Sequence, residues 1–260
     1  MVIVKRVSII FVIAVLVLSV CLFGRRAPAF KEGTEPRKIA IVIDDFGYDG
    51  NGTEDILKIK EHLTAAVMPN SPCTAEDAKR AHENGFEVIV HLPMEPVVGK
   101  KSWLPPDSIT SDLDSQEILK RTCEAFDQVP YAVGFNNHMG SKITVSRDMM
   151  YVILDEAKRR NFYVIDSKTT QDSVIDEVSQ ALGIEHYDRD LFIDGKSEDA
   201  VYKQVLELAK ISEKKGYAIG IGHVGPAGGS VTAKGILDAI PELKKMNIEL
   251  VYVSQLKGSL

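Results

Sequence analysis

The stretch Ile39-Ala40-Ile41-Val42-Ile43-Asp44-Asp45-Phe46-Gly47 decides the fold. Its short apolar run, rich in β-branched residues, predicts a buried strand of a parallel sheet. The run ends in two adjacent carboxylates, and α/β sheets and barrels carry their chemistry at the carboxyl ends of strands. The two carboxylates repel each other, which costs stability unless a cation or a proton lies between them. The alternative interpretation is a polar turn in which Asp44 or Asp45 caps a helix.

The overall composition is that of a globular protein. The chain has 260 residues, of which 45% are hydrophobic and 26% charged, so it is long enough for one large α/β domain. The net charge of −6, with no basic block outside the N-terminus, argues against nucleic acid as a partner. Cys21, Cys73 and Cys123 are too far apart to indicate a disulfide framework or a thiolate zinc site. Any metal must be held by histidine and carboxylate.

Residues 1–29 predict a secretory signal peptide or an N-terminal membrane anchor. Lys5 and Arg6 precede an uncharged run over residues 7–24, which is followed by two arginines and Ala-Pro-Ala. Both alternatives export the rest of the chain, so we expect an extracytoplasmic protein that contacts the membrane only through this segment, if it is not cleaved. Residues 30–37 form a predicted linker, and residues 38–260 a single domain.

From Ile39 onward, short apolar runs alternate with amphipathic helical stretches. This alternation predicts a mostly parallel sheet, and the number of units favours a single distorted (β/α) barrel of seven or eight strands. The first helix is predicted over Thr53–His62, and the last over Thr232–Met246 with a break at Pro241. The chain has neither a G-x-G-x-x-G motif after the first strand nor a P-loop, which argues against a nucleotide site.

Polar or ionisable residues follow five of the predicted strands: Asp44-Asp45, His91 to Glu95, Asn136-Asn137-His138, Asp166 and His223. In a parallel barrel these strand ends open on one face, and burying so many polar groups is costly without a metal or a hydrogen-bond network. Two histidines and one aspartate would hold a divalent ion, most simply zinc, and leave a position for water. A further carboxylate and histidine would serve as base and acid in the hydrolysis of an amide or ester.

The order of these motifs resembles the polysaccharide deacetylase (NodB homology, carbohydrate esterase 4-like) superfamily, and most closely its divergent branch. The likeness covers residues 38–253. It implies that Asp44 is the catalytic base, Asp45 a metal ligand, and His223 the general acid, with Asp166 orienting His223. It also implies that His91 is a metal ligand.

Two departures from the family pattern stand out. The second motif of the family carries a pair of histidines four residues apart, and here Glu95 replaces the second; His138 is the natural substitute ligand and Glu95 the second choice. The arginine that pairs with the base in the third motif is missing, and Lys142, Lys168 or Arg189 is a candidate to replace it. Glu95, Asn137 and Arg189 are therefore additional candidate site residues.

The resemblance implies an extracytoplasmic, metal-dependent hydrolase that removes N-acetyl groups from a cell-envelope polysaccharide, with an N-acetylated glycan as its substrate. The alternative is a catalytically impaired module on the same fold that binds a glycan or an envelope partner. A weaker third possibility is the hydrolysis of an ester or of a peptide-like amide.

Overall fold

The computed structural model describes residues 35–99 and 104–256. The predicted signal peptide or anchor, and the predicted linker up to residue 34, lie outside these ranges. Among the helices that the structure describes, none is both long enough and apolar enough to cross a bilayer.

The first strand, β1 (Arg37–Phe46), lies at the centre of the sheet. All five residues from Ile39 to Ile43 are fully buried, as expected for a parallel strand covered on both faces. Side chains alternate along it: Ala40 and Val42 belong to the apolar cluster inside the barrel, whereas Ile41 and Ile43 pack in the layer beneath the helices. This alternation fixes which residues further along the strand face the barrel interior.

Eight strands follow one another across a parallel sheet in the order β6-β5-β4-β3-β2-β1-β8-β7, and β9 pairs with the amino-terminal end of β1. The prediction of a distorted β/α barrel with mostly parallel strands is therefore confirmed. The remaining strands are β2 (Thr64–Val67), β3 (Glu87–Met94), β4 (Ala132–Met139), β5 (Tyr163–Asp166), β6 (His186–Asp188), β7 (Leu191–Phe192), β8 (Tyr217–His223) and β9 (Ile248–Leu250).

Seven α-helices pack around the sheet: α1 (Thr53–Leu57), α2 (Thr74–Glu83), α3 (Ser115–Gln128), α4 (Arg147–Arg159), α5 (Ile175–Leu182), α6 (Glu198–Lys215) and α7 (Ser230–Lys245), as counted over the described ranges. Side chains cap two of them, since Asp114 accepts a hydrogen bond from the N–H of Glu117 and Ser197 from that of Ala200.

Two predictions about the helices were wrong, one about an end and one about a break. Helix α1 ends at Leu57, not His62, because Ile59 and Leu63 are both buried in the core by the irregular chain that leads into β2. Helix α7 continues through Pro241 without a break. Proline removes the hydrogen bond to the carbonyl four residues earlier, that of Leu237, whose side chain lies on the exposed side of the helix where water can satisfy the carbonyl.

The barrel is open between β6 and β7, which form no ladder with each other in the described part of the chain. Residues 189 and 190 cross this gap at the carboxyl end of the sheet. The N–H of Arg189 donates to the carbonyl of Asp166 on one side, and that of Asp190 donates to Ile219 on the other. The crossing carries Arg189 to the same face of the sheet as the carboxylates of β1.

Candidate active site

Four candidate residues share the inner face of the barrel because of strand alternation. Asp44 continues the inward series of Ala40 and Val42, and His223 continues that of Ile219 and Ile221 on the neighbouring strand. His91 follows the inward Ile89 in the same way. Strands β3 and β4 run further than predicted, so His91 and His138 belong to the strands themselves and are held by ladder hydrogen bonds. These side chains converge on one cleft.

A β-bulge brings the second carboxylate of β1 into the same cleft. Strict alternation would turn Asp45 outward, towards the helices. Instead the register between β1 and β2 shifts between Ile43 and Phe46, and Asp45 has a φ of 68° in the left-handed region. Aspartate tolerates this conformation better than most residues. Both carboxylates consequently approach the same ring nitrogen, His91 Nε2, at 3.6 Å from Asp44 and 3.4 Å from Asp45.

Asp45, His91 and His138 form a cluster with the chemistry of a metal site. One oxygen or nitrogen from each of the three lies within 4.8 Å of the other two. His91 Nε2 and His138 Nδ1 are 3.0 Å apart, and each lies 3.4 Å from the same oxygen of Asp45. Two imidazoles and one carboxylate are the donor set of catalytic zinc sites with an open position. The residues present therefore fit a divalent ion.

Asn136 links this cluster to Asp44. Its side-chain oxygen accepts a hydrogen bond of 2.7 Å from His91 Nδ1, which leaves the lone pair of Nε2 directed at the cluster. Its amide nitrogen donates to Asp44 Oδ1 at 2.8 Å. Asn136 is fully buried, so both contacts are shielded from water. The asparagine, and none of the predicted candidates Lys142, Lys168 and Arg189, makes the hydrogen bond to Asp44 in place of the missing family arginine.

The electrostatics of the two carboxylates differ. Burial raises the pKa of Asp44, and the neighbouring charge of Asp45 adds to this, against the opposing effects of His91, His223 and Asn136. Burial also acts to raise the pKa of Asp45, but hydrogen bonds from His138 and His91 outweigh it and lower the pKa far below the ordinary value. Burial lowers the pKa of His91, whereas the charges of Asp44 and Asp45 raise it, with a net upward shift.

His223 is oriented by Asp194, not by Asp166. His223 Nδ1 lies 2.7 Å from Asp194 Oδ2, and the N–H of His223 donates to Asp194 Oδ1 at 3.0 Å. The other ring nitrogen, Nε2, is 3.9 Å from Asp44 Oδ2. Burial acts to lower the pKa of His223, but the hydrogen bond to Asp194 and the charge of Asp44 raise it to about 9. The imidazole is therefore protonated at neutral pH.

The predicted contact between Asp166 and His223 is not formed in the described structure, because Asp166 points away from the barrel interior. In β5, Ile165 faces the barrel interior and Val164 the helix layer, so Asp166 has the outward parity of Val164. Its carboxylate accepts from the N–H of Lys168 at 2.8 Å and lies 3.2 Å from the Lys168 ammonium, which also pairs with Asp188 at 3.1 Å. Asp166 belongs to a separate charge cluster beside the cleft.

The additional candidates divide into two supporting residues and one at the cleft. Glu95 pairs with Lys142 at 2.7 Å and accepts from the N–H of Ser111; these contacts lower its pKa to about 2 and keep its carboxylate out of the metal cluster. Asn137 ties the ends of β4 and β5 together by accepting from the N–H of Ser167. Arg189 lies with its guanidinium over the ring of Phe192, which packs against His223.

Asn136 and Asp194 contact the candidate residues but were not predicted as site residues from the sequence. Asn136 lies two residues before His138, so the two share one face of a strand, and this parity is readable from the sequence. Asp194 follows the apolar triplet Leu191-Phe192-Ile193, whose first two residues form β7. A two-residue strand gives too weak a pattern to be recognised in a sequence, and its carboxyl end is equally hard to predict.

Comparisons with known proteins agree with the motif pattern. Residues 41–257 match the family model described as divergent polysaccharide deacetylase, which confirms the resemblance. Among curated proteins, the chain is 34% identical over 207 residues to the uncharacterized protein YibQ of Escherichia coli. This match covers 79% of the chain and 64% of that relative, so the chain spans less than two thirds of its length.

Solved structures share the fold at low sequence identity. An uncharacterized protein of Agrobacterium tumefaciens superposes with a TM-score of 0.78 at 18% identity, over 86% of this chain and 90% of that one. A peptidoglycan N-acetylglucosamine deacetylase gives 0.55 at 14% identity, over 84% and 86%. A CE4 family pseudoenzyme of Bacillus anthracis gives 0.51 at 13% identity, over 85% and 65%. The fold is thus shared by an enzyme and a pseudoenzyme.

The pairing of His223 with Asp194 yields a direct prediction. In Asp194→Asn, the hydrogen bond and the charge of Asp194 no longer oppose the effect of burial, so the pKa of His223 should fall from about 9 towards its ordinary value. An NMR titration of the imidazole protons without added metal measures this. Asp166→Asn is the matched control and should leave the titration in place. A pKa that falls in Asp166→Asn and not in Asp194→Asn would contradict the assignment.

Proposed function

Because the chain belongs to the divergent polysaccharide deacetylase family, we propose that it is a metal-dependent hydrolase that removes N-acetyl groups from a cell-envelope polysaccharide. One observation carries the proposal: a cluster of two imidazoles and a carboxylate lies beside a second carboxylate, Asp44, and a third imidazole, His223. Amide hydrolysis needs an electrophilic centre, a base and an acid within reach of one another, and this arrangement supplies residues for all three.

Asp45, His91 and His138 would hold the ion, most simply zinc. A divalent ion at such a site lowers the pKa of water and polarises a carbonyl group. Asn136 supports this use of His91, since its hydrogen bond to Nδ1 fixes the tautomer whose Nε2 is free to coordinate. Glu95 is not part of the proposed ligand set, because Lys142 and the N–H of Ser111 occupy its carboxylate.

Asp44 and His223 carry out the two proton transfers of the reaction, Asp44 first. Asp44 takes a proton from the attacking water as the water oxygen bonds to the acetyl carbon. The raised pKa of this buried carboxyl suits a group that must hold the proton briefly. His223, protonated at neutral pH, donates from Nε2 to the amine nitrogen as the C–N bond breaks. Asp194 keeps Nδ1–H bonded, so that Nε2 is the nitrogen presented to the substrate.

The competing function is a module that binds a glycan without turnover. It is favoured by the family arginine that is missing here and by the pseudoenzyme that shares the fold. The contact of Asn136 with Asp44 weighs against it, because a buried polar group that orients a base has no evident use in a binding protein. The two functions differ in whether acetate is released.

An extracytoplasmic location is part of the proposal. It is supported by Lys5 and Arg6 followed by the uncharged run over residues 7–24. We expect a carboxyl-terminal alkaline phosphatase fusion of the full chain to be active in a bacterial host, because that reporter matures only outside the cytoplasm. A fusion of the chain without residues 1–29 is the control and should be inactive. Equal activity of the two fusions would contradict export by this segment.

Metal binding is tested by elemental analysis of the purified protein. We expect about one equivalent of zinc or a similar ion, and a rise in the melting temperature on adding zinc to the metal-stripped chain. His91→Ala and His138→Ala should each lose the ion. Glu95→Gln is the control and should retain it, since Glu95 lies outside the cluster. Retention in both histidine variants would show that the ion, if present, sits elsewhere.

The role of Asp44 is tested separately from metal binding. Asp44→Asn keeps the acceptor of the hydrogen bond from Asn136 but removes the base, so acetate release from N-acetylated oligosaccharides should fall by about 10²–10⁴-fold while the metal content stays unchanged. Asp45→Asn, which tolerates the same backbone conformation, should lose both. Loss of metal in Asp44→Asn would make Asp44 a ligand and disprove its role as base.

A further inference from the structure

Arg189 is a half-buried cation beside the cleft. It forms no salt bridge with any acidic residue of the described ranges. Its Nε donates to the carbonyl of Ser167 at 2.8 Å and Nη2 to that of Lys168 at 3.2 Å, whereas Nη1 donates to no atom of the described residues. Burial lowers the pKa of its guanidinium, the sign of a cation that has lost part of its water. Such a group is an open site for an anion.

The guanidinium is held rigidly at the cleft. Its Cζ lies 3.7 Å from the centroid of the Phe192 ring, and the His223 ring also packs against Phe192, at 5.8 Å between centroids. Arg189 and the proposed general acid therefore contact the same aromatic ring. The Phe192 side is partly open, with 37% of the residue exposed. Two carbonyls and a stacked ring fix the fork, so little freedom is lost when it binds a ligand.

The carboxylates around Arg189 are engaged by other groups. Asp190 pairs with Lys215 at 2.8 Å and accepts from the N–H of Ile219. Asp166 and Asp188 share the ammonium of Lys168. Asp194 binds His223. Asp44 is near enough to act on Arg189 through its charge, but its oxygens are engaged by Asn136, His91 and His223. The guanidinium therefore remains available to a ligand.

We propose that Arg189 binds a carboxylate carried by the substrate, so that the preferred glycan is an acidic one with the anionic group close to the N-acetyl sugar. This inference rests on the proposed function for the identity of the ligand as a glycan. The carboxylate belongs either to the N-acetylated sugar itself or to the sugar linked to it. A guanidinium binds a carboxylate at either position through two parallel hydrogen bonds. A neutral N-acetyl oligosaccharide has no carboxylate to accept them.

The competing account is that Arg189 replaces the missing family arginine as the electrostatic partner of Asp44. Asn136 already makes the direct contact with Asp44, whereas Arg189 is within hydrogen-bonding distance of no carboxylate in the part of the chain that the structure covers. The two accounts predict different selectivity. Loss of an electrostatic partner would lower the turnover of acidic and neutral substrates by the same factor. Loss of a carboxylate-binding residue would weaken the binding of the acidic substrate more than that of the neutral one.

The test measures binding by calorimetry in full-length Asp44→Asn protein, with and without zinc, so that no turnover interferes. Two probe pairs distinguish the sources of the carboxylate. A hyaluronan tetrasaccharide and its methyl ester place the acid on the neighbouring sugar; an N-acetylglucosamine–N-acetylmuramic acid disaccharide and its methyl ester place it on an N-acetyl sugar. We expect the acid of one pair to bind about tenfold more tightly than its ester, with the preference weakening at high salt.

Variants assign the preference to one side chain. Adding Arg189→Gln should reduce the acid-to-ester ratio to within about twofold, and Arg189→Lys should retain part of it, since the charge remains but the fork is lost. Arg159→Gln, which removes an exposed arginine of α4, is the matched control for net charge and should keep the full ratio. Equal binding of acid and ester in both pairs, or a preference unaltered by Arg189→Gln, overturns the inference.

Acetate release separates this inference from the proposed function. If wild type releases acetate but treats acid and ester alike, the deacetylase function stands and the role of Arg189 falls. If no probe releases acetate but the Arg189-dependent preference persists in calorimetry, the carboxylate site stands and the catalytic proposal falls. If Arg189→Gln lowers turnover of acid and ester equally, Arg189 is an electrostatic partner of Asp44 and the inference is overturned.

Discussion

The repulsion between two neighbouring carboxylates is the constraint on which the site depends. With the bulge at Asp45, both carboxylates face the same ring nitrogen, His91 Nε2. The negative charge of Asp45 therefore raises the pKa of Asp44. The surrounding residues give the two carboxylates different partners. His91 and His138 converge on Asp45, whereas Asp44 receives a hydrogen bond from Asn136 and lies near His223. The proposed metal ligand, Asp45, and the proposed base, Asp44, are thus adjacent residues of identical chemistry in different surroundings.

Burial strengthens the electrostatic difference between Asp44 and Asp45. Asp44, His91 and Asn136 are almost completely shielded from solvent, and charges separated from water act on one another more strongly than exposed ones. The two aspartates therefore shift in opposite directions from the same ordinary pKa, with Asp44 raised and Asp45 lowered. Pairs of titratable groups whose environments separate their pKa values are the usual mark of distinct acid and base roles. His223, with its pKa raised by Asp194, complements them.

The gap between β6 and β7 gives the cleft a second wall. Because the barrel does not close there, residues 188–194 run along its carboxyl end and contribute Arg189, Phe192 and Asp194 to one side of the site. The open barrel thus places an orienting carboxylate and an aromatic ring next to the imidazole that they support.

Much of the site was readable from the sequence, because period-2 alternation and the ends of apolar runs are local properties. The runs before Asp44, His91 and His223 predicted buried parallel strands, and their polar ends predicted a shared face. The same alternation, applied to Ile165 and Asp166, would have shown that Asp166 points away from the interior. The strands β3 and β4 extend beyond their apolar cores because neighbouring strands supply the ladder partners, which the sequence alone does not display.

The sequence by itself determined the alternating fold, the central strand and the residue types available for metal and proton chemistry, since these follow from local patterns of hydrophobicity. Only the tertiary structure decided which partner each group has. Asp194 lies 29 residues from His223 and Asn136 lies 92 from Asp44, so the contacts depend on strand order and register and not on spacing along the chain. The bulge at Asp45 likewise depends on the pairing of β1 with β2, and it turns towards the cleft a side chain that strict alternation would direct outward.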